Sequence, residues 1–122
     1  MTIRLENTQG VDALTEFVQF ADQVYAYRGA AWPASVDFQL PLLTGESPYS
    51  EGRRRHPLLA RQGDQMVARA VVVVDERYNR HWQERLGHLI MFEALPEPGA
   101  ATSLLLDAAC DWLAAPSSTP RR

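Results

Sequence analysis

The sequence predicts an α+β fold: a mostly antiparallel four-stranded sheet with helices packed on it, in the order β-α-α-β-β-β-α. Three observations carry that prediction. Residues 11–27 and 100–115 repeat apolar side chains at helical spacing near the two ends of the chain. Residues 58–62 and 65–74 are strand-like runs joined by Gly63-Asp64, a two-residue connection with Gly first, which favours a tight hairpin. A further strand-like run, Leu86 to Leu95, leads into the second long helix.

The elements follow in chain order. Ile3 and Leu5 alternate with Arg4 and Glu6, the period of a half-buried strand, and Asn7-Thr8-Gln9-Gly10 supplies turn and helix-cap chemistry. Apolar residues 11, 14, 17, 18, 21, 24 and 25 then line one face of a helix whose opposite face carries Asp12, Glu16, Gln19 and Asp22. From Arg28 to Pro57 the density of Gly and Pro leaves room for a short helix near residues 35–40, with loop elsewhere, and loops of this length are often functional. Arg53-Arg54-Arg55-His56 reads as solvated loop. Val71-Val72-Val73-Val74 is apolar on both faces and belongs to a central strand covered on both sides. Residues 75–85, DERYNRHWQER, are polar enough to read as loop. In the last helix Ala101, Leu104, Leu105, Ala108, Trp112 and Leu113 share a face, with Trp112 at the centre of the stripe, and Cys110, mid-helix beside Leu113, reads as a packed small apolar residue.

The 122 residues are one domain's worth of chain, with 1–115 as the folded unit and 116–122 as a small, polar, disordered tail. All 12 basic residues are Arg, so lysine Schiff-base chemistry, a lysine-bound pyridoxal cofactor and a Walker-type phosphate loop are excluded. A net charge of −3 argues against a nucleic-acid partner. A single cysteine forms no intrachain disulfide and no thiolate zinc framework, and His56, His81 and His88 lack the spacing of a helical metal pair, so no metal is expected. The N-terminus has no signal-like apolar run and the longest apolar stretch, Ala70 to Val74, is far short of a membrane span; no membrane association and a cytoplasmic location are expected.

One family resemblance lies in an ordered series of segments. These are the helix with Phe17 and Tyr25, Trp32-Pro33 after it, His56-Pro57-Leu58-Leu59-Ala60-Arg61 leading into the hairpin, Arg77-Tyr78-Asn79, Gly87-His88-Leu89-Ile90-Met91-Phe92-Glu93, and finally LLLDAACDWL at 104–113. Together they resemble the first half of a GNAT acyltransferase fold, in a branch of longer bacterial proteins with a divergent N-terminal GNAT-like module, over residues 11–115. The resemblance implies an acyl-CoA site where the fourth strand leads into the next helix, held by a glycine-rich turn and a helix N-terminus. That connection here reads Leu95-Pro96-Glu97-Pro98-Gly99-Ala100-Ala101, where two prolines lack N–H groups and Glu97 brings negative charge, which argues against CoA at the usual place. The later strands and the acid tyrosine of a complete acetyltransferase have no counterpart.

The resemblance also suggests Glu93 as a general base, against the plainer reading of a strand-end glutamate paired with an Arg or a helix cap. The aromatic residues Tyr25, Tyr27, Trp32, Tyr49 and Trp82, with Arg53 and Arg54, could line an amphiphilic ligand pocket, or simply cap the core and pack loops. The expected function is a GNAT-like partial acyltransferase fold, non-catalytic on its own, that binds a small ligand or dimerises and needs no cofactor. The alternative is an acetyl-CoA-dependent N-acetyltransferase completed by another chain. The strand from Leu86 to Leu95, with no fifth strand beside it, is the expected pairing surface of a homodimer or of a complex with another chain.

Overall fold

The computed structural model describes residues 3–27, 36–96 and 99–115. One sheet of four antiparallel strands has the order β1-β2-β3-β4, with β1 at Ile3–Asn7, β2 at Arg53–Gln62, β3 at Gln65–Asp75 and β4 at His88–Ala94. Around it lie α1 (Val11–Tyr27), α2 (Val36–Thr44), α3 (Glu76–Trp82) and α4 (Gly99–Ala114), with a 3-10 turn at Pro48–Ser50. The α+β order expected from the pattern is the order found, with one helix more, α3, between β3 and β4.

Helices cover the sheet on both faces. On one face α1 and α2 bury Leu14, Phe17, Val18, Phe20, Val24 and Leu43 against Leu59, Met66, Val71 and Val73. On the other, α4 lays Ala101, Leu105 and Ala109 on Leu58, Ala60, Val67, Ala68, Ala70 and Val72. The alanines of this second layer carry no side chain beyond Cβ, which lets α4 settle close to the strands. β3 contributes to both layers, as expected of an apolar central strand. The hairpin turns through Gly63 at φ 63, a value that costs glycine little and other residues more.

Several local expectations change in three dimensions. Residues 76–82 form α3 rather than loop. No apolar stripe announces it; its ends do, because the Asp75 carboxylate caps the Tyr78 N–H at 3.0 Å and Gln83 closes the helix in the left-handed region at φ 56. Residues 53–56 belong to β2 rather than to a solvated loop. Pairing with residues 72–75 of β3 extends the strand, and Arg53 and Arg54 find carboxylates across it, Asp75 at 3.1 Å and Glu76 at 2.9 Å. In α4 the buried residues are Ala101, Leu105 and Ala109, while Leu104 and Leu113 are exposed, Trp112 is half-buried and Cys110 is exposed. The helix lies mainly over β2 and β3, with β1 at one side, so the stripe it buries is narrower than its apolar face. No helix among the described residues is long and apolar enough to cross a membrane.

Candidate functional site

The most unusual side chain in the sheet is Arg69, a cation inside the otherwise apolar run of β3 and only 3% exposed. A buried guanidinium must be satisfied by hydrogen bonds, and Arg69 is: Nη1 donates to the carbonyls of Phe17 (2.6 Å) and Val18 (3.0 Å) in α1, and Nε donates to Met91 O at 3.1 Å. The guanidinium also lies 5.3 Å from the Phe17 ring centre, within cation–π range. Arg69 thus ties α1 to β4 through the strand between them.

Its grip on Met91 coincides with a break in the ladder. Arg69 pairs with Glu93 and Val71 with Ile90, so β4 carries one residue more than β3 between those pairs, and Met91 adopts φ 54. This is a β-bulge, which bends the strand and re-aims the side chains beyond it. Beyond it Glu93 stands opposite Arg69 and accepts a long hydrogen bond of 3.4 Å from the Tyr25 hydroxyl of α1. Burial pulls the Arg69 pKa below its ordinary value, while the negative field of Glu93, Tyr25 and Asp22 pulls it back up. The seam between α1 and β4 therefore holds one buried cation among acidic and phenolic oxygens. Such a set can orient a polar group at the sheet edge, where the Glu93 carboxylate and the Tyr25 hydroxyl lie side by side.

The structure brings together two of the residues singled out from sequence, Tyr25 and Glu93, which are 68 positions apart. Tyr49 and Arg53 meet elsewhere: Arg53 Nη1 donates to the Tyr49 carbonyl, while the Tyr49 ring is exposed. Trp82 lies on α3 against Tyr78 and His81, also largely exposed. Trp32 lies outside the described residues. Arg69 carries a signal in the sequence as well: a lone charge in the run MVARAVVVV of a strand covered on both faces has no solvent to turn to and must find partners inside.

The opposite face of the sheet has its own polar cluster. His56 stacks on Trp112, with ring centres 5.0 Å apart and planes 5° from parallel, and the Arg54 guanidinium lies 5.0 Å from the same indole. Rather than a surface or loop residue, His56 is a half-buried strand residue whose burial lowers its pKa from the ordinary 6.5. Among the described residues no group of three or more His, Cys, Asp or Glu is placed to hold a metal ion.

Comparison with protein-family models, with curated proteins and with solved structures finds no match in any of the three. The residues and their geometry therefore carry the functional argument.

Proposed function

We propose that this chain is a non-catalytic, GNAT-like half-fold that acts as a dimerisation module, pairing with a second copy of itself along the edge and flank of β4. The observation that carries this reading is the state of β4. It is an edge strand whose Leu89, Ile90 and Phe92 are 39%, 44% and 41% exposed, and α4 packs chiefly on β2 and β3, reaching β4 near Ala94. Leu106 and Leu113 of α4 are also exposed, and Leu113 lies against Gly87 just before the strand, so the apolar surface continues from strand to helix. A patch of this kind on an edge strand favours association.

Charge supports a copy of the same chain as the partner. Arg85 stands just before the segment and Glu93 near its end, so a two-fold axis near Met91 sets the basic end of one strand toward the acidic end of the other. The Met91 bulge interrupts the ladder, so side-chain burial on the flank contributes more than a continuous row of backbone bonds. The exposed free Cys110 fits a reducing compartment, and a cytoplasmic location belongs to this reading.

Light scattering across the micromolar range tests the proposal. The expected mass is two chains for the native sequence and one for Ile90→Lys or Phe92→Lys, with unchanged circular dichroism. A one-chain mass throughout for the native protein overturns it.

One observation favours a second reading, an acetyl-CoA-dependent N-acetyltransferase completed by another chain: the Glu93–Tyr25 pair beside the bulge supplies a carboxylate and a hydroxyl at the strand end. Calorimetric titration with acetyl-CoA separates the two. The dimerisation reading expects no micromolar binding, because in the sequence just before α4 Pro96 and Pro98 offer no N–H and Glu97 brings negative charge. A 1:1 curve at that affinity promotes the enzyme.

A further inference from the structure

A cleft far in sequence from β4 lies at the start of α1. It encloses about 410 Å³ and is lined by Thr8, Gly10, Val11, Leu43, Thr44 and Arg55 among others. We infer that this cleft binds the phosphoryl group of a small phosphomonoester.

Three independent features converge there. The first is the N-terminus of a 17-residue helix. The earliest i→i−4 bond of α1 is Leu14 N–H to Gly10 O at 2.9 Å, so the N–H groups of Val11, Asp12 and Ala13 precede the ladder. Gly10, at φ 90, brings no side chain to cap them, and no side chain among the described residues does so. Aligned peptide dipoles and free N–H groups favour an anion at such a position.

The second is Thr8. Thr8 follows directly on β1 and lines the cleft; Glu6, two residues earlier, faces α1 through the Arg61 bridge to Glu16, and the same alternation carried one step past the strand puts Thr8 on that side. The residue is 5% exposed, and its Oγ1 is a buried hydroxyl with no hydrogen-bond partner. A buried hydroxyl left unpaired costs stability, and an acceptor that reaches it through the cleft lining restores it.

The third is Arg55. Its strand neighbours Arg53 and Arg54 each hold a carboxylate, but Arg55 pairs with none among the described residues and directs Nε and Nη1 to the carbonyls of Leu43, Ser50 and Arg53. The turn after α2 closes over it at Gly45, where a Cβ would fall 2.8 Å from Nη2. The result is a positioned, half-buried positive charge. A tetrahedral anion offers enough oxygens for helix amides, hydroxyl and guanidinium together, whereas a planar carboxylate offers two. The volume exceeds that of phosphate alone, and Leu14, Leu43 and Pro57 give the remainder an apolar wall.

The test is titration of the full chain, followed by amide NMR at constant ionic strength, with inorganic phosphate, phenyl phosphate and acetate in parallel. The expected result is saturable shifts centred on Val11, Asp12 and Ala13, with phenyl phosphate tighter than phosphate and acetate weakest. Arg55→Gln weakens binding about tenfold or more, the loss of one charge-assisted contact. Thr8→Val weakens it about threefold and Thr8→Ser restores it, while Asp12→Asn tightens it about twofold by removing the acidic group of the first turn. Arg55→Gln also loosens the carbonyls that Arg55 holds, so Thr8→Val, which removes an unpaired hydroxyl from the fold, decides the matter if that variant unfolds. Shifts that do not saturate, that spread over the arginine-rich surface, or that persist unchanged in Thr8→Val overturn the site. Acetate binding as tightly as phenyl phosphate overturns the phosphoryl assignment. Light scattering of the same samples keeps this result separate from pairing through β4.

Discussion

Replacing Arg69 by methionine keeps the length of the side chain and deletes its charge and its donors. The carbonyls of Phe17 and Val18 lie inside α1 and keep their helical partners at positions 21 and 22, so they are not orphaned. Met91 O sits in the bulge, where neither Met91 nor Phe92 has a partner in the register, and it loses the one donor that Arg69 supplied. Leaving such an acceptor unpaired costs about 1–3 kcal/mol. Glu93 and Asp22 lose the cation they face, a further cost, while removal of a buried charge returns some desolvation energy. The balance is a loss of about 2 kcal/mol; Arg69→Ala, which adds a cavity under α1, loses about 4 kcal/mol. In urea melts followed by circular dichroism, with a slope near 1.5 kcal/mol per molar, the methionine variant unfolds about 1.3 M earlier than the native chain. The amide signals of Met91 and Phe92 also shift as the bulge relaxes. A methionine variant within about 0.5 kcal/mol of native, with those signals unmoved, refutes the view that Arg69 holds the bulge.

Three further outcomes are expected. His56 has its pKa lowered by burial, so the fold favours the neutral ring and the unfolded chain binds the proton more readily; stability holds above pH 6.5 and falls as pH drops through that value, and His56→Phe flattens the pH dependence of the urea midpoint in that range. Trp112→Ala costs about 2 kcal/mol in the same melts, less than a fully buried tryptophan, because the ring is half-buried between His56 and Arg54; its removal moves the NMR-measured pKa of His56 back toward 6.5. Asp75→Ala removes the N-cap of α3 and the partner of Arg53, costing about 1 kcal/mol with the amide of Tyr78 losing exchange protection.

Part of the site was legible before the fold was known. Glu93 is marked by its place at the end of an apolar strand and Tyr25 by the helical stripe of α1, but their proximity required the sheet order that brings β4 beside β3 under α1. Thr8 and Arg55 carry no signal of their own. Thr8 is an ordinary turn residue, and Arg55 one of three consecutive arginines, until pairing with β3 sends alternate side chains to opposite faces.

The sequence by itself determined the elements whose formation is a matter of periodicity. Residues 11–27 are α1 as their apolar spacing requires, Gly63-Asp64 turns the hairpin, and β3 is central because its valines are apolar on both faces. Only the tertiary structure decided what depends on a distant partner. α3 is held by its caps rather than a stripe, β2 begins at Arg53 because β3 is there to pair with it, and α4 buries Ala109 in place of Leu104 and Leu113 because it lies mainly over β2 and β3. The bulge at Met91 belongs to this second group as well. A residue takes φ 54 at a cost, and the cost is met here by an arginine from the neighbouring strand whose three hydrogen bonds exist only once helix, strand and edge have come together.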